Sequence, residues 1–306
     1  MKKGKGSRGE EQAMYELRQA GEETFYLECP AKIGIYQPRL GEVYLIDSGG
    51  DKDAGRRVRK LLEEQGWSLK GIMVTHSNAD HIGGCRYLQN QYGCPVFAGG
   101  IEGAFTRWPV LEPAFLYGGY PHRDLRHKFL MAEGCETVGL DHPDFPREVE
   151  VIPLPGHFFD MVGYKTPDGT VFLADCLSGE GTLEKYGISF LYDVEAYLET
   201  LDKVGEMEGS LFVPAHAPAT ADIRPLARRN KGAVEDIAGT IRTFCGEGTG
   251  FEELLARLFD HYGLTMTHEQ YVLVGSTVRS YLSWLKDKGE VEAVFERNRL
   301  YWKAMK

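Results

Sequence analysis

No stretch of this chain reaches the ~20 consecutive apolar residues that a membrane-spanning helix needs. A helical span is therefore excluded from the expected fold, and no membrane partner is expected. The start carries no charged-then-apolar leader: Met1 to Arg8 is basic and glycine-rich, with no apolar run behind it. Six cysteines are present (Cys29, Cys85, Cys94, Cys135, Cys176 and Cys245), yet no CxxC pair occurs among them. Scattered cysteines fit reduced thiols and a cytoplasmic location better than a disulfide framework. Positive charge is also short, with Lys+Arg 35 against Asp+Glu 45 and a net charge of −10. Phosphate contacts dominate nucleic-acid affinity, so nucleic acid is a disfavoured partner unless basic residues gather locally. Internal repeats and low-complexity tracts are missing as well, which removes solenoids and biased disordered arrays.

What remains is ordinary for a globular chain: 306 residues, 42% hydrophobic and 26% charged. That length suits one large domain and one small one. Residues 1–22 read as a polar tail, with a short helix expected over 10–20. Strand signals follow at 24–29, 33–36 and 43–47, then helical spacing at Val58, Leu61 and Leu62. A strand at 72–75, a helix at 84–92 and a strand at 96–98 continue an α/β alternation. Residues 101–148 interrupt it. They carry Phe105, Trp108, Phe115, Tyr117, Tyr120 and Phe129, and read as an aromatic, lid-like excursion over a site mouth. Strands resume at 148–154, 162–166 and 171–174, with Pro167-Asp168-Gly169 as the turn between the last two. A helix at 194–204 and a strand at 211–213 complete a unit of residues 23–222, and a connecting helix spans 223–245. The glycines of 246–250 mark a boundary. Beyond it come helical spacing at 251–262, a short helix capped by Thr267, a helix at 276–288, and strands at 291–295 and 300–303. Three helices and a hairpin predict a winged-helix-like domain over 246–306.

The chemistry is concentrated in Thr75-His76-Ser77-Asn78-Ala79-Asp80-His81, where an apolar strand gives way to a loop before a helix. Imidazole and carboxylate groups packed this densely suit zinc, iron or manganese. Three further apolar strands end in a candidate ligand: Leu154-Pro155-Gly156-His157, Phe172-Leu173-Ala174-Asp175 and Phe212-Val213-Pro214-Ala215-His216. Strand ends of an α/β sheet form one rim, where distant residues can meet.

The order His76, Asn78, Asp80, His81, His157, Asp175, His216 resembles the metallo-β-lactamase superfamily of metallohydrolases, and within it the glyoxalase II-like enzymes. The family's motif is His-x-His-x-Asp-His, then a distant His, a bridging Asp and a last His. Leu45-Ile46-Asp47-Ser48-Gly49 also looks like the family's strand-ending Asp-x-Gly signature. The resemblance covers roughly residues 24–220. It implies an αββα sandwich with a site for one or two metal ions, zinc first, with iron or manganese also possible. Carried over, His76, position 78 and His157 would hold one ion. Asp80, His81 and His216 would hold the other, and Asp175 would bridge. Asp80 would also position the attacking water and handle its proton. The implied reaction is hydrolysis of a small ester or thioester.

Position 78 departs from the family: an amide stands where an imidazole is usual. That predicts unequal affinity at two sites, or a single tightly held ion, or an outer role for Asn78 in orienting water. His122 and His127 are candidates to compensate, though histidines in an aromatic excursion are first read as surface or substrate contacts. Asp47 is expected to cap the turn at 48–50 and hold the ligand loop, and Cys176 to pack in the core. Asp160 has no assigned role. Two other readings stand beside the hydrolase. A nuclease would need a basic track, for which Arg107, Arg123, Arg126 and Lys128 are available. A non-enzyme would bind a metal or ligand through a site weakened at Asn78. The terminal domain is expected to pack, pair into a homodimer or border the substrate pocket rather than bind nucleic acid.

Overall fold

The computed structural model describes residues 15–305. One sheet comprises β1 (Glu16–Gln19), β2 (Thr24–Glu28), β3 (Ile33–Arg39), β4 (Glu42–Ile46), β5 (Ser68–Met73) and β6 (Val96–Phe97), in that spatial order. β1 to β4 pair antiparallel, while β4–β5 and β5–β6 are parallel. The second sheet comprises β7 (Glu150–Pro153), β8 (Val162–Lys165), β9 (Thr170–Ser178) and β10 (Leu211–His216), ordered β10-β9-β8-β7. Here β9 and β10 are parallel and the other pairs antiparallel.

Side-chain alternation explains how the sheets stack, because successive residues of a strand point to opposite faces. Along β3, Ile33 and Ile35 join the cluster that holds Val58, Leu62 and Leu88, whereas Tyr36 joins the cluster shared with the other sheet. Along β9, Phe172 faces the first sheet while Val171 and Leu173 face the opposite way. Both faces of both sheets are therefore apolar, and each fully buried aliphatic side chain contributes roughly 1.5–3 kcal/mol of transfer free energy. The sheets approach closely at Gly34, where a Cβ would sit 2.6 Å from the Phe172 ring.

Helices cover the outer faces. α1 (Lys52–Gln65), α2 (Ala79–Ile82) and α3 (Cys85–Tyr92) lie on the first sheet's side. α1 begins where Asp51 accepts the amides of Asp53 and Ala54, and ends at left-handed Gly66. The excursion folds into α4 (Gly100–Arg107), α5 (Leu111–Tyr117) and a 3-10 turn over Arg123–Leu125. α6 (Glu180–Tyr186), α7 (Val194–Gly205), α8 (Arg224–Cys245), α9 (Phe251–Tyr262) and α10 (His268–Asp287) follow, with a terminal hairpin of β11 (Val291–Glu296) and β12 (Arg299–Ala304). The result is an αββα sandwich. Buried residues of α7 to α10 and the outer face of the second sheet form one apolar cluster.

Two expectations change. The helix expected over 10–20 falls partly outside the described residues, and its described part, Glu16–Gln19, is an edge strand paired with β2. The separate helices expected at Thr267 and at 276–288 are one helix, α10, so two helices rather than three lie between residue 246 and the hairpin. Val272, Val274, Val278, Tyr281 and Leu282 maintain a buried stripe across Gly275, and tertiary burial outweighs the glycine's propensity cost. α6 carries no sequence signal strong enough to predict it.

Candidate metal centre

All seven expected positions lie at one end of the two sheets, and the ligand atoms of six of them converge in two groups that share Asp175. One group is Asp80, His81, Asp175 and His216; the other is His76, His157 and Asp175; within each, the ligand atoms lie within 4.8 Å of one another. His81 Nε2 is 3.0 Å from Asp175 Oδ1. His216 Nε2 is 3.2 Å from both Asp175 Oδ2 and Asp80 Oδ2. His157 Nε2 lies 3.7 Å from Asp175 Oδ2 and 3.1 Å from the seventh position, at Asn78 Oδ1.

The backbone supplies this convergence. Asp175 follows Ala174, which sits at φ 49 where the β9–β10 register shifts between Val213 and Pro214. That bulge re-aims the carboxylate toward the site. Gly156, at φ 118, precedes His157, and a Cβ there would run into the Tyr197 backbone. Asp47 sits at φ 63. Left-handed non-glycine residues cost of order 1–3 kcal/mol each and cluster at functional sites.

Each imidazole presents the same nitrogen to the cluster. His81 Nδ1 meets Asp47 Oδ2 at 2.7 Å, His157 Nδ1 meets the Phe190 carbonyl at 3.1 Å, and His216 Nδ1 meets the Pro30 carbonyl at 2.8 Å. These partners only accept, so each Nδ1 carries the proton and each neutral ring offers a lone pair at Nε2. His76 reaches the same state through a relay. Thr75 Oγ1 donates to Asp47 Oδ2 at 2.8 Å, so it can only accept from His76 Nδ1, 3.0 Å away.

The donor set fits a cation. His76 Nε2 is buried with no hydrogen-bond partner, while His81 Nε2 and Asp175 Oδ1, also buried, face each other at 3.0 Å. Buried polar atoms are normally satisfied, so the unpartnered His76 Nε2 matches a nitrogen ligand, and the facing His81 and Asp175 atoms match a nitrogen and a carboxylate ligand of a divalent ion. The charges agree. Burial holds His76 and His157 below the ordinary histidine range. Nearby Asp175 lifts His216 to about 10. Burial opposes protonation of His81, but Asp175, Asp80 and Asp47 outweigh it and raise its pKa. Without a metal, protons on two imidazoles take the cation's place beside the carboxylates.

Two buried carboxylates that bond the ligand loop escape sequence reasoning. Glu102 of α4 accepts from Ser77 N, Ser77 Oγ and Asp160 N at 2.9, 2.6 and 2.9 Å, which ties the first ligand loop to the turn after His157. Burial pushes its carboxyl up to about 7 against the pull of those bonds. Glu112 of α5 accepts from Asn78 Nδ2 at 2.8 Å. Neither belongs to a recognisable spacing, and both come from the excursion. Asp160 accepts from Ile101 N at 2.9 Å at the start of α4. Asp47 bonds Thr75 N and Oγ1 and the His81 ring, so it holds the ligand loop, and its carboxylate is spent on these groups rather than on capping the turn at 48–50 as expected. His122 and His127 do not compensate at position 78: His127 Nε2 pairs with Glu269 at 3.0 Å, and His122 packs on Tyr117 and His268. Cys176 is fully buried in the core.

The cluster forms the floor of a cavity of ≈ 970 Å³. Leu177, Ile188, Phe190, Leu273 and Val274 make an apolar wall, and Glu112, Lys128, Phe129 and Leu130 bring the excursion to the rim. Of the four cations available for a basic track, Lys128 alone lines the cavity among the described residues, and it is paired with Asp51 at 2.9 Å. No helix among the described residues is long and apolar enough to cross a membrane.

A fold of two stacked sheets with this rim of imidazoles and carboxylates defines the class, and sequence comparison agrees. The profile of the Metallo-beta-lactamase superfamily matches residues 28–216, and the chain belongs to that superfamily. Among its curated relatives is the "Beta-lactamase-like protein 2 homolog" of Drosophila melanogaster, 27% identical over 180 residues, covering 56% of this chain and 53% of that protein. A "Hydroxyacylglutathione hydrolase" of Bradyrhizobium sp. (strain ORS 278) is 31% identical over 152 residues, covering 48% of each chain. The chain thus spans about half the length of the curated relatives it matches. In fold it is similar to a metallo-beta-lactamase family protein from Thermus thermophilus, at TM-score 0.70 and 17% identity, covering 95% of this chain and 98% of that one.

Proposed function

We propose that this protein is a metal-dependent hydrolase acting on a small ester or thioester. The observation that carries the reading is the convergence of four Nε2 atoms and two carboxylates on the floor of an open cavity, with His76 Nε2 buried and unpartnered. The similarity to hydroxyacylglutathione hydrolases supports the thioester class. His76, His157 and Asp175 would hold one divalent ion and Asp80, His81, His216 and Asp175 a second, zinc being the first candidate. Such an ion supplies a water of lowered pKa and polarises a carbonyl oxygen.

The chain's own residues do the rest. Asp80, with half of its side chain exposed, would orient the attacking water and take its proton at Oδ2. The backbone carbonyls of Pro30 and Phe190 and the Asp47 carboxylate keep the imidazoles in the ligating tautomer. Phe190 and its apolar neighbours hold the acyl group and exclude bulk water from it. The nuclease reading has less support: among the described residues Arg107, Arg123 and Arg126 do not line the cavity, and Lys128 is paired with Asp51. The test is to load the purified protein with zinc, iron or manganese in turn and assay acyl-thioesters, esters and lactones. Turnover that disappears on chelation and in Asp80→Ala supports the proposal; no hydrolysis in any metal form sinks it.

A further inference from the structure

Asn78 is the residue at which this site departs from the superfamily motif, and the structure gives it an unexpected partner. Glu112 reaches it from α5, with 5% of its surface exposed. A primary amide has two ends of opposite hydrogen-bonding sense. Glu112 Oε1 takes the nitrogen end, accepting from Asn78 Nδ2 at 2.8 Å. The oxygen end is left 3.1 Å from His157 Nε2. His157 Nδ1 already faces the Phe190 carbonyl, so in the neutral ring Nε2 is an acceptor. Two acceptors then face each other beside the unpartnered His76 Nε2, an arrangement that an intervening cation satisfies and a hydrogen bond does not. The reverse rotation of the amide would point Nδ2 at His157 and consume its lone pair. α5 carries Glu112 in place, because Leu116 packs with Leu125, Leu130 and Val272 of α10.

We propose that Glu112 is a positioning residue that fixes Asn78 with its amide oxygen toward the His76–His157–Asp175 group, making Asn78 a neutral oxygen ligand of the weaker of two metal sites. The inference rests on the metal-centre reading above. It explains how a position that has lost an imidazole still contributes a donor. It also gives the excursion a part in the centre itself, beyond roofing the cavity.

The experiment is a chelator-competition titration with zinc, read as the number of equivalents bound and the dissociation constant of each. Four proteins are compared: wild type, Glu112→Leu, Asn78→Ala and the double variant. Glu112→Leu is expected to weaken one equivalent about tenfold or more, the scale of an outer-sphere partner, and to leave the equivalent at Asp80, His81 and His216 unchanged. Asn78→Ala is expected to weaken the same equivalent, and Glu112→Leu to add nothing in that background, because the glutamate acts only through the amide. Unchanged binding in Glu112→Leu, equal weakening of both equivalents, or additive effects in the double variant overturns the proposal. A wild type holding a single equivalent that Glu112→Leu leaves untouched also overturns it, with the metal-centre reading intact. If Glu112→Leu fails to fold, Asn78→Ala decides alone, and wild-type-like binding there overturns the proposal. A wild type that binds no zinc, iron or manganese removes the underlying reading itself.

Discussion

At the scale of single residues, the centre is organised by what lies behind the imidazoles. Asp47 touches both Thr75 and His81 and so sets two tautomers, one directly and one through the threonine hydroxyl. Asp47→Asn keeps the shape and tolerates the left-handed backbone, but its amide nitrogen can donate to His81 Nδ1 and move the ring proton to Nε2. We expect metal affinity to fall by about 10–100-fold with the fold retained, measured by chelator competition alongside circular dichroism. Affinity equal to wild type would contradict the tautomer argument. Asp47 was legible in the sequence as a loop-holder because it follows an apolar strand and precedes Ser48-Gly49-Gly50. Glu102 and Glu112 were not, since a glutamate within a short helix of an aromatic excursion carries no spacing that distinguishes it from a solvated one.

At the scale of elements, two glycines make opposite predictions. Gly34 lies where β3 meets Phe172, and Gly34→Ala forces a Cβ to 2.6 Å from that ring. The change should cost about 1–3 kcal/mol or more by overpacking. Gly275 lies inside α10, where an added Cβ meets the Arg279 guanidinium at 3.4 Å and Leu255 and Phe251 at 3.8 Å. That is tolerable, and Gly275→Ala should stabilise by about 0.5–1 kcal/mol through helix propensity. Urea denaturation of both variants checks the pair; a destabilised Gly275→Ala would mean α10 packs more tightly than described. The same helix forms part of the cavity wall through Leu273 and Val274. Leu273→Trp should therefore raise KM for bulky acyl substrates more than for acetyl ones, a comparison that steady-state kinetics makes directly. Equal effects on both would remove α10 from the acyl site.

At the scale of the whole molecule, the proposed metal and protons would compete for one set of lone pairs. Asp175 raises His216 to about 10, and His81 is also raised by the carboxylates around it. Both rings therefore carry an extra proton near neutral pH in the metal-free protein, and both must release it to bind an ion. The sign follows: metal affinity falls as pH drops below about 10 and rises as pH increases toward it. Zinc titration calorimetry at pH 7 in buffers of differing ionisation enthalpy should report about two protons released. Release of none would mean that the imidazoles are already neutral. Saturating metal should also stabilise the fold, by about 4 kcal/mol at a free concentration about 1,000 times the dissociation constant, visible as a higher melting temperature.

The strand–loop junctions that carry the imidazoles and carboxylates were readable from the linear chain, because local periodicity and the turn chemistry of a few adjacent residues encode them. The αββα sandwich was implied only by the resemblance to the superfamily, since no local pattern says how two sheets stack. What tertiary structure alone decided is which partners stand behind the ligands. Glu102 and Glu112 meet Ser77 and Asn78 across 25 and 34 positions of sequence, and α10 closes the cavity from the far end of the chain. Contacts of that kind follow from how whole layers pack, and a side chain's neighbours across layers leave no periodic trace in its own segment.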